Sequence, residues 1–282
     1  MTALDTTDSS IPAPMVGVFG GSGLYSLLDR DRSETVDVVT PYGPISSPIT
    51  IGDLDGVRVA FLARHGIAHT LPPHRVPYRA NVWAMASLGV RAIVSSSAVG
   101  SLSPRIAPGT FVVPDQLIDR TSGRADTFFD GADVQHLPFS DPYCAQLRTI
   151  ATDALAGLGE KVHPSATSVV VQGPRFSTRA ESRWYRSLGA HIVNMTQYPE
   201  AALAAELNVG LVNVSFVTDS DAGDSAEDAV DPAVVLRRMA EAEQRIRSAI
   251  AAIAIAVPRD YATPSRVPDD AVLRVLAAGA LV

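Results

Sequence analysis

The sequence predicts an α/β fold with a largely parallel, buried sheet. Short apolar runs alternate with helical patterns along the chain, the order that builds βαβ units. Several runs are continuously apolar, as strands covered on both faces are. No internal repeat breaks this order, and no mid-chain linker is long or polar enough to divide it.

The elements follow in order. Met15–Gly20 is an apolar strand ending in Gly20-Gly21-Ser22-Gly23, and Val57–Leu62 is another. Tyr78–Leu88 has helical spacing, follows Pro77 and stops at Gly89. Val90–Val94 reads as a buried strand running into Ser95, Ser96, Ser97 and Ala98, and Phe111–Val113 as a strand closed by Pro114. Asp141-Pro142 reads as the N-cap and first residue of a helix reaching Leu158, before Gly159. Ser168–Val171 is β-rich, and Thr178-Arg179-Ala180-Glu181 fits a capping box. His191–Val193 and Val209–Val217 read as strands around a helix over Pro199–Leu207, and Asp231-Pro232 opens a long helix to Val257. The expected organisation is a disordered tail over 1–14, one domain over 15–257, and a spacer with a short apolar helix over 258–282. The apolar segment Asp269–Val282 packs either on its own core or on a neighbouring subunit.

Composition removes whole classes of function. The 282 residues carry 23 Lys plus Arg against 30 Asp plus Glu, a formal charge of −7. Such a chain lacks the broad basic face of a general nucleic-acid binder. At 46% hydrophobic and 19% charged it suits a packed core and excludes global disorder. Cys144 is the single cysteine, so no intrachain disulfide or Cys/His zinc spacing exists, and a reducing, cytoplasmic setting is expected. The longest strongly apolar stretch, near 249–257, is too short to span a bilayer. The N-terminus lacks the basic and apolar regions of a secretory signal. Lys161 is the sole lysine, which argues against P-loop and Schiff-base chemistry.

Six clusters carry polar chemistry at or just past predicted strand ends. Gly20-Gly21-Ser22-Gly23 offers backbone N–H groups and a hydroxyl to an anion; a tight strand-to-helix turn explains the same residues. It fails the dinucleotide fingerprint, because Ser26 stands where the third glycine belongs. Arg64-His65 supplies a planar fork and a second donor, or else a surface pair. Ser97, in the serine run, is a phosphate donor or a core serine. Phe176 offers a ring for stacking on a planar base, or packs in the core. Asn194-Met195-Thr196 adds a hydroxyl and a thioether. Asp219 and Asp221 suit a general acid and a hydrogen-bond acceptor, or a turn. Together the set can hold an inorganic anion beside a planar heterocycle.

With these residues and further motifs, the chain resembles the methylthioadenosine branch of the trimeric purine nucleoside phosphorylase family. Thr40-Pro41-Tyr42-Gly43, Tyr78-Arg79-Ala80-Asn81-Val82-Trp83-Ala84, Asp115-Gln116-Leu117-Ile118-Asp119-Arg120-Thr121, Gly173-Pro174-Arg175-Phe176-Ser177 and Pro199-Glu200 add to the six clusters, in the same order from about residue 15 to 257. The resemblance implies a single-domain fold with a central mixed, largely parallel sheet flanked by helices. It implies a homotrimer with active sites near subunit interfaces. It implies phosphorolysis of 5′-methylthioadenosine to adenine and 5-methylthioribose 1-phosphate in purine and methionine salvage. Inorganic phosphate is then a co-substrate, with no metal, organic cofactor, nucleic acid or membrane partner.

Carried over by motif, Ser22, Arg64, His65, Ser97, Ala98 and Thr196 correspond to the phosphate site, and Met195 to a ribose contact. Phe176, Ser177, Asn194, Asp219 and Asp221 correspond to the base site, with Asp219 assisting departure of the purine. His136 resembles a residue lent to the neighbouring subunit's 5′ pocket, and Val235 and Leu236 resemble its apolar wall. The 6-oxopurine members carry Asn at the Asp219 position and Glu at the Ser177 position, so both positions here read as adenine-selective. Gln197-Tyr198 and Pro232 depart from the family's residues near the base and 5′ pockets, which loosens the 5′ expectation. The competing readings are a broader purine nucleoside phosphorylase and a non-catalytic nucleoside-binding module.

Overall fold

The computed structural model describes residues 16–222 and 230–278. The predicted tail, Met15 and the last four residues of the terminal segment lie outside them. Strands β1 (Val16–Gly20), β2 (Ser33–Val36), β3 (Ile49–Leu54) and β4 (Val57–Ala63) precede helix α1 (Tyr78–Ser87). Strands β5 (Ala92–Ser101), β6 (Phe111–Val112) and β7 (Gln116–Arg120) lead to α2 (Ala145–Gly157). Then come β8 (Val162–His163), β9 (Thr167–Val171), α3 (Arg179–Ser187), β10 (Ile192–Asn194), α4 (Gln197–Glu206), β11 (Gly210–Asp219), α5 (Pro232–Ala256) and α6 (Asp269–Ala277).

One mixed sheet results, with a main path β2-β3-β4-β1-β5-β10-β9-β7. β1 is parallel to both β4 and β5, and its five residues are all buried, as a doubly covered strand requires. β3 and β4 form a hairpin in which Leu54 faces Val57. Its two-residue turn, Asp55-Gly56, has φ of 49° and 82°, the left-handed pair of the turn that matches strand twist.

The pairing of β5 creates the cavity. Its contact with β1 ends at Ser95, while β11 runs parallel beside it as far as Gly100. β10 joins it, antiparallel, only at Gly100 and Ser101. Between those limits, one edge of β5 has no strand beside it. This corrects the expected short strand Val90–Val94: pairing with β11 extends it, so Ser95–Ala98 lie within the strand rather than beyond it.

The strands alternate their side chains between two apolar layers. Val16 and Val18 face α2 and α5, where Leu147, Leu155, Ile246 and Ile250 are buried. Phe19 and Ile93 face α1, α4 and α6 through Trp83, Leu203 and Val272. α6 is tied to its own layer by the Trp83 indole, which donates to Val275 O at 3.0 Å. The stretch before it is also attached: Tyr261 is buried, and Asn208 Nδ2 donates to Val267 O.

Two capping expectations hold. Thr178 Oγ1 accepts from Glu181 N while Glu181 accepts from Thr178 N, and Asp231 caps α5 through Ala233 N. α2 begins three residues later than the Asp141-Pro142 signal implies. Cys144 N still donates to Leu211 O at 2.9 Å, so the chain leaves β11 before it coils. Among the described residues no helix is long and apolar enough to cross a membrane.

Candidate active site

A cavity of about 330 Å³ opens where β1, β4, β5, β10 and β11 end or part. Ser22, Arg64, His65, Ser97, Ala98 and Thr196 line it, as do Phe176, Ser177, Asn194 and Met195. Asp219, Asp221, Val235 and Leu236 complete the set brought together from the sequence. His136 is not among the lining residues; it sits exposed on the segment before α2.

The polar end is built by close backbone approach. Gly21 N donates to Ser96 Oγ at 2.9 Å, and Leu24 N to Gly21 O at 3.0 Å. A Cβ on Gly21 would collide with the Ser96 carbonyl. The glycine cluster is a tight turn whose Gly21 N–H is already spent inside the fold, and Ser22 lines the cavity.

Arg64 is also more engaged than a free fork. It is 1% exposed. Its Nε and Nη2 pair with Glu200, Nη2 also donates to Ser95 Oγ at 2.8 Å, and Nη1 donates to Ser96 O at 2.8 Å. Four of its five N–H groups have partners at these contacts, so the charge is held rigidly beneath the cavity. His65 Nδ1 donates to Leu71 O at 2.8 Å. Burial, and then the Arg64 charge, push its pKa down to about 4, so the ring is neutral near pH 7 and leaves Nε2 for a ligand. His69, a lining residue with φ of 52°, packs 4.7 Å from the His65 ring centre.

The opposite end holds the carboxylates. Asp219 accepts from Thr218 Oγ1 at 2.7 Å and from Asp221 N at 2.8 Å. Asp221 accepts from the Ser182 hydroxyl of α3. Burial raises both pKa values above the ordinary aspartate value, against these hydrogen bonds. The neighbouring Asp221 charge adds, more weakly than burial, to the upward shift at Asp219. The Ser177 hydroxyl is buried close to Asp221, where it favours the charged carboxylate. Phe176 lies half-buried on the wall and joins none of the apolar core clusters, so the core alternative for it falls. Asn194 Oδ1 accepts from Thr196 N and Gln197 N, both at 2.7 Å; its Nδ2 is the end free for the cavity. Pro232, Val235, Leu236 and Met239 of α5 supply an apolar side.

Sequence reasoning assigned no supporting role to the residues behind this lining, Glu200, Ser95, Asn213 and Gln197, all at most 2% exposed. A signal existed for one of them. Glu200 stands in an otherwise apolar helical run, Pro199–Ala205, and a fully buried carboxylate needs a cation. Among the described residues no group of three or more His, Cys, Asp or Glu side chains is placed to hold a metal ion.

The cavity lining combines anion donors, carboxyl groups whose pKa burial raises, and an apolar side wall. The chain is 56% identical over 209 residues to S-methyl-5′-thioadenosine phosphorylase of Mycolicibacterium smegmatis, covering 74% of this chain and 78% of that one. It is 46% identical over 251 residues to a purine nucleoside phosphorylase of Streptomyces coelicolor, covering 86% and 89%. Its fold superposes on methylthioadenosine phosphorylase from Schistosoma mansoni, solved with adenine, at a TM-score of 0.83 and 32% identity, over 95% and 96% of the two chains. The sequence profile of the phosphorylase superfamily matches residues 16–255, and the chain belongs to that superfamily.

Proposed function

We propose that the protein cleaves 5′-methylthioadenosine with inorganic phosphate, giving adenine and 5-methylthioribose 1-phosphate. One observation carries this reading: rigidly held anion donors and buried carboxyl groups line a single cavity. Phosphate would sit against Ser22, His65, Ser97 and Thr196, above the buried Arg64 charge. A phosphate oxygen attacks C1′ of the ribose as the C1′–N9 bond breaks. The bound oxyanion also stabilises the positive charge that develops on the ribosyl ring, and preorganised donors make that stabilisation effective. Neutral His65, with Nδ1 spent on Leu71, offers Nε2 as an acceptor for a phosphate hydroxyl.

The departing purine gains negative charge and needs a proton or a donor at N7. Asp219, whose pKa burial raises, would supply it. Adenine also presents an amino donor, which suits the Asp219 and Asp221 oxygens, whereas a 6-oxopurine presents an acceptor. Phe176 would stack on the base, and Val235 and Leu236 would line the methylthio end. The reaction balances without a metal or organic cofactor. A homotrimer with the site completed by a neighbour, and a cytoplasmic location, belong to the same proposal.

The similarity to the Streptomyces purine nucleoside phosphorylase keeps a broader substrate range as the second reading. Purine release from methylthioadenosine, adenosine and inosine, each with and without phosphate, separates the two. Phosphate-dependent release fastest from methylthioadenosine is the expected result. Inosine cleaved as well as the adenine nucleosides would favour the broader reading, and nucleoside binding without cleavage would overturn both.

A further inference from the structure

The polar end stands on a buried hydrogen-bond chain whose direction is set by the ion pair at its root. Arg64 can only donate, and the Glu200 carboxylate can only accept. Ser95 joins them: Oγ accepts from Arg64 Nη2 at 2.8 Å and gives its single proton to Glu200 Oε2 at 2.8 Å. No proton remains on Ser95 for Asn213, 3.2 Å away. The Asn213 amide must therefore turn Nδ2, not Oδ1, towards this side. The same Nδ2 donates to Ser97 Oγ at 2.9 Å. Ser97 thus receives a hydrogen bond from behind, while its own proton is left for the cavity that it lines. On the far side Asn213 Oδ1 accepts from Gln197 Nε2 at 2.9 Å and from Ser215 Oγ at 2.7 Å, and Gln197 Oε1 accepts from the Tyr143 hydroxyl at 2.5 Å. Every bond in the chain agrees with that one direction. Asn213 itself is fully buried in β11 and is not a lining residue.

We propose that Asn213 is a positioning residue: oriented by the Arg64–Glu200 pair through Ser95, it makes Ser97 an obligate hydrogen-bond donor to the bound oxyanion. This rests on assigning that end of the cavity to phosphate. A carboxylate in place of the amide would capture the Ser97 proton and leave lone pairs facing the anion, a mismatch that costs at least as much as the missing contact.

The test is a double-mutant cycle of Asn213→Asp with Ser97→Ala. It is read as phosphate Kd by calorimetry on nucleoside-free protein, and as KM for phosphate and for methylthioadenosine in turnover. Each single variant is expected to weaken phosphate about tenfold and to leave the methylthioadenosine KM within about twofold. The double variant is expected to be no weaker than the worse single, because Asn213 acts through the Ser97 proton. Effects that multiply to about a hundredfold, an unchanged phosphate Kd in Asn213→Asp, or equal rises in both KM values would each overturn the proposal. If Asn213→Asp loses its cooperative melt, Ser95→Ala takes its place in the cycle, since it frees the amide to turn, and the same outcomes apply. The calorimetric arm needs no catalysis. A wild type that binds phosphate without cleaving nucleoside overturns the proposed reaction and leaves the positioning role tested; one that binds no phosphate overturns the positioning role.

Discussion

Burial works in opposite directions on the two ends of the cavity, and each end has its own pH signature. Asp219 has its pKa raised by burial, so the folded state binds a proton more readily than the unfolded chain. That contribution to stability is present at low pH and is lost as pH rises through the folded pKa. Asp219→Asn is therefore expected to melt no lower than wild type at pH 8. Its turnover of methylthioadenosine should fall by about 10²–10⁴-fold, the usual worth of general acid catalysis; near-normal turnover in a folded variant would remove Asp219 from the acid role. His65 shows the reverse sign. Its folded pKa is pushed down to about 4, below the ordinary histidine value of 6.5, so the unfolded chain takes up the proton first and stability is lost as pH falls through that window. At full protonation the loss is about 3 kcal/mol. His65→Gln should remove that slope, so thermal melts at pH 7 and pH 4.5 should lie closer together in the variant than in wild type.

At the scale of elements, the site depends on β5 and β11 keeping contact while β1 and β10 leave part of β5 uncovered. Gly100 is where β10 and β11 meet β5. A Cβ there would stand 2.9 Å from Asp219 Oδ1 and 3.0 Å from Val193 Cγ1. Gly100→Ala must push the end of β11 away, so it is expected to cost about 1–3 kcal/mol of stability and to cut kcat more than the phosphate KM. A variant that melts lower with kcat intact would show that Asp219 tolerates the displacement. Much of this layout was legible from local patterns. The Thr178 capping box, the Asp231-Pro232 helix start and the buried run of β1 each depend on neighbours in sequence. The length of β5 was not legible, because its last residues are polar and small and become strand only through β11, more than a hundred residues away. β3 was missed despite its signal, the Asp55-Gly56 turn, since polar Asp53 and Gly52 interrupt the apolar pattern. The late start of α2 depends on one bond from Cys144 to β11, which no local capping rule contains.

At the scale of the whole molecule, the lining was legible and its support was not. Arg64, Thr196 and Asp219 are marked by motif, whereas the pairing of Glu200 with Arg64 spans 136 positions of sequence and is set only by the closed sheet. One expected site residue still stands apart from the cavity. His136 is exposed, and the α5 side of the cavity carries Leu236 at 62% exposure. A second copy of the chain placing its His136 segment over that apolar edge would bury Leu236 and close the methylthio end. Light scattering is then expected to give three times the monomer mass. His136→Ala should lower kcat/KM for methylthioadenosine without lowering phosphate affinity. Mixing it with Asp219→Asn tests whether the histidine acts across subunits. Each variant has an impaired site of its own, yet an Asp219-containing site beside an Asp219→Asn neighbour has both groups intact. Random reassembly of equal amounts in a closed ring should make about a quarter of the sites wild type. Activity rising well above the mean of the two variants is the expected outcome. Activity equal to that mean would place His136 outside the neighbour's site and leave the cavity complete within one chain.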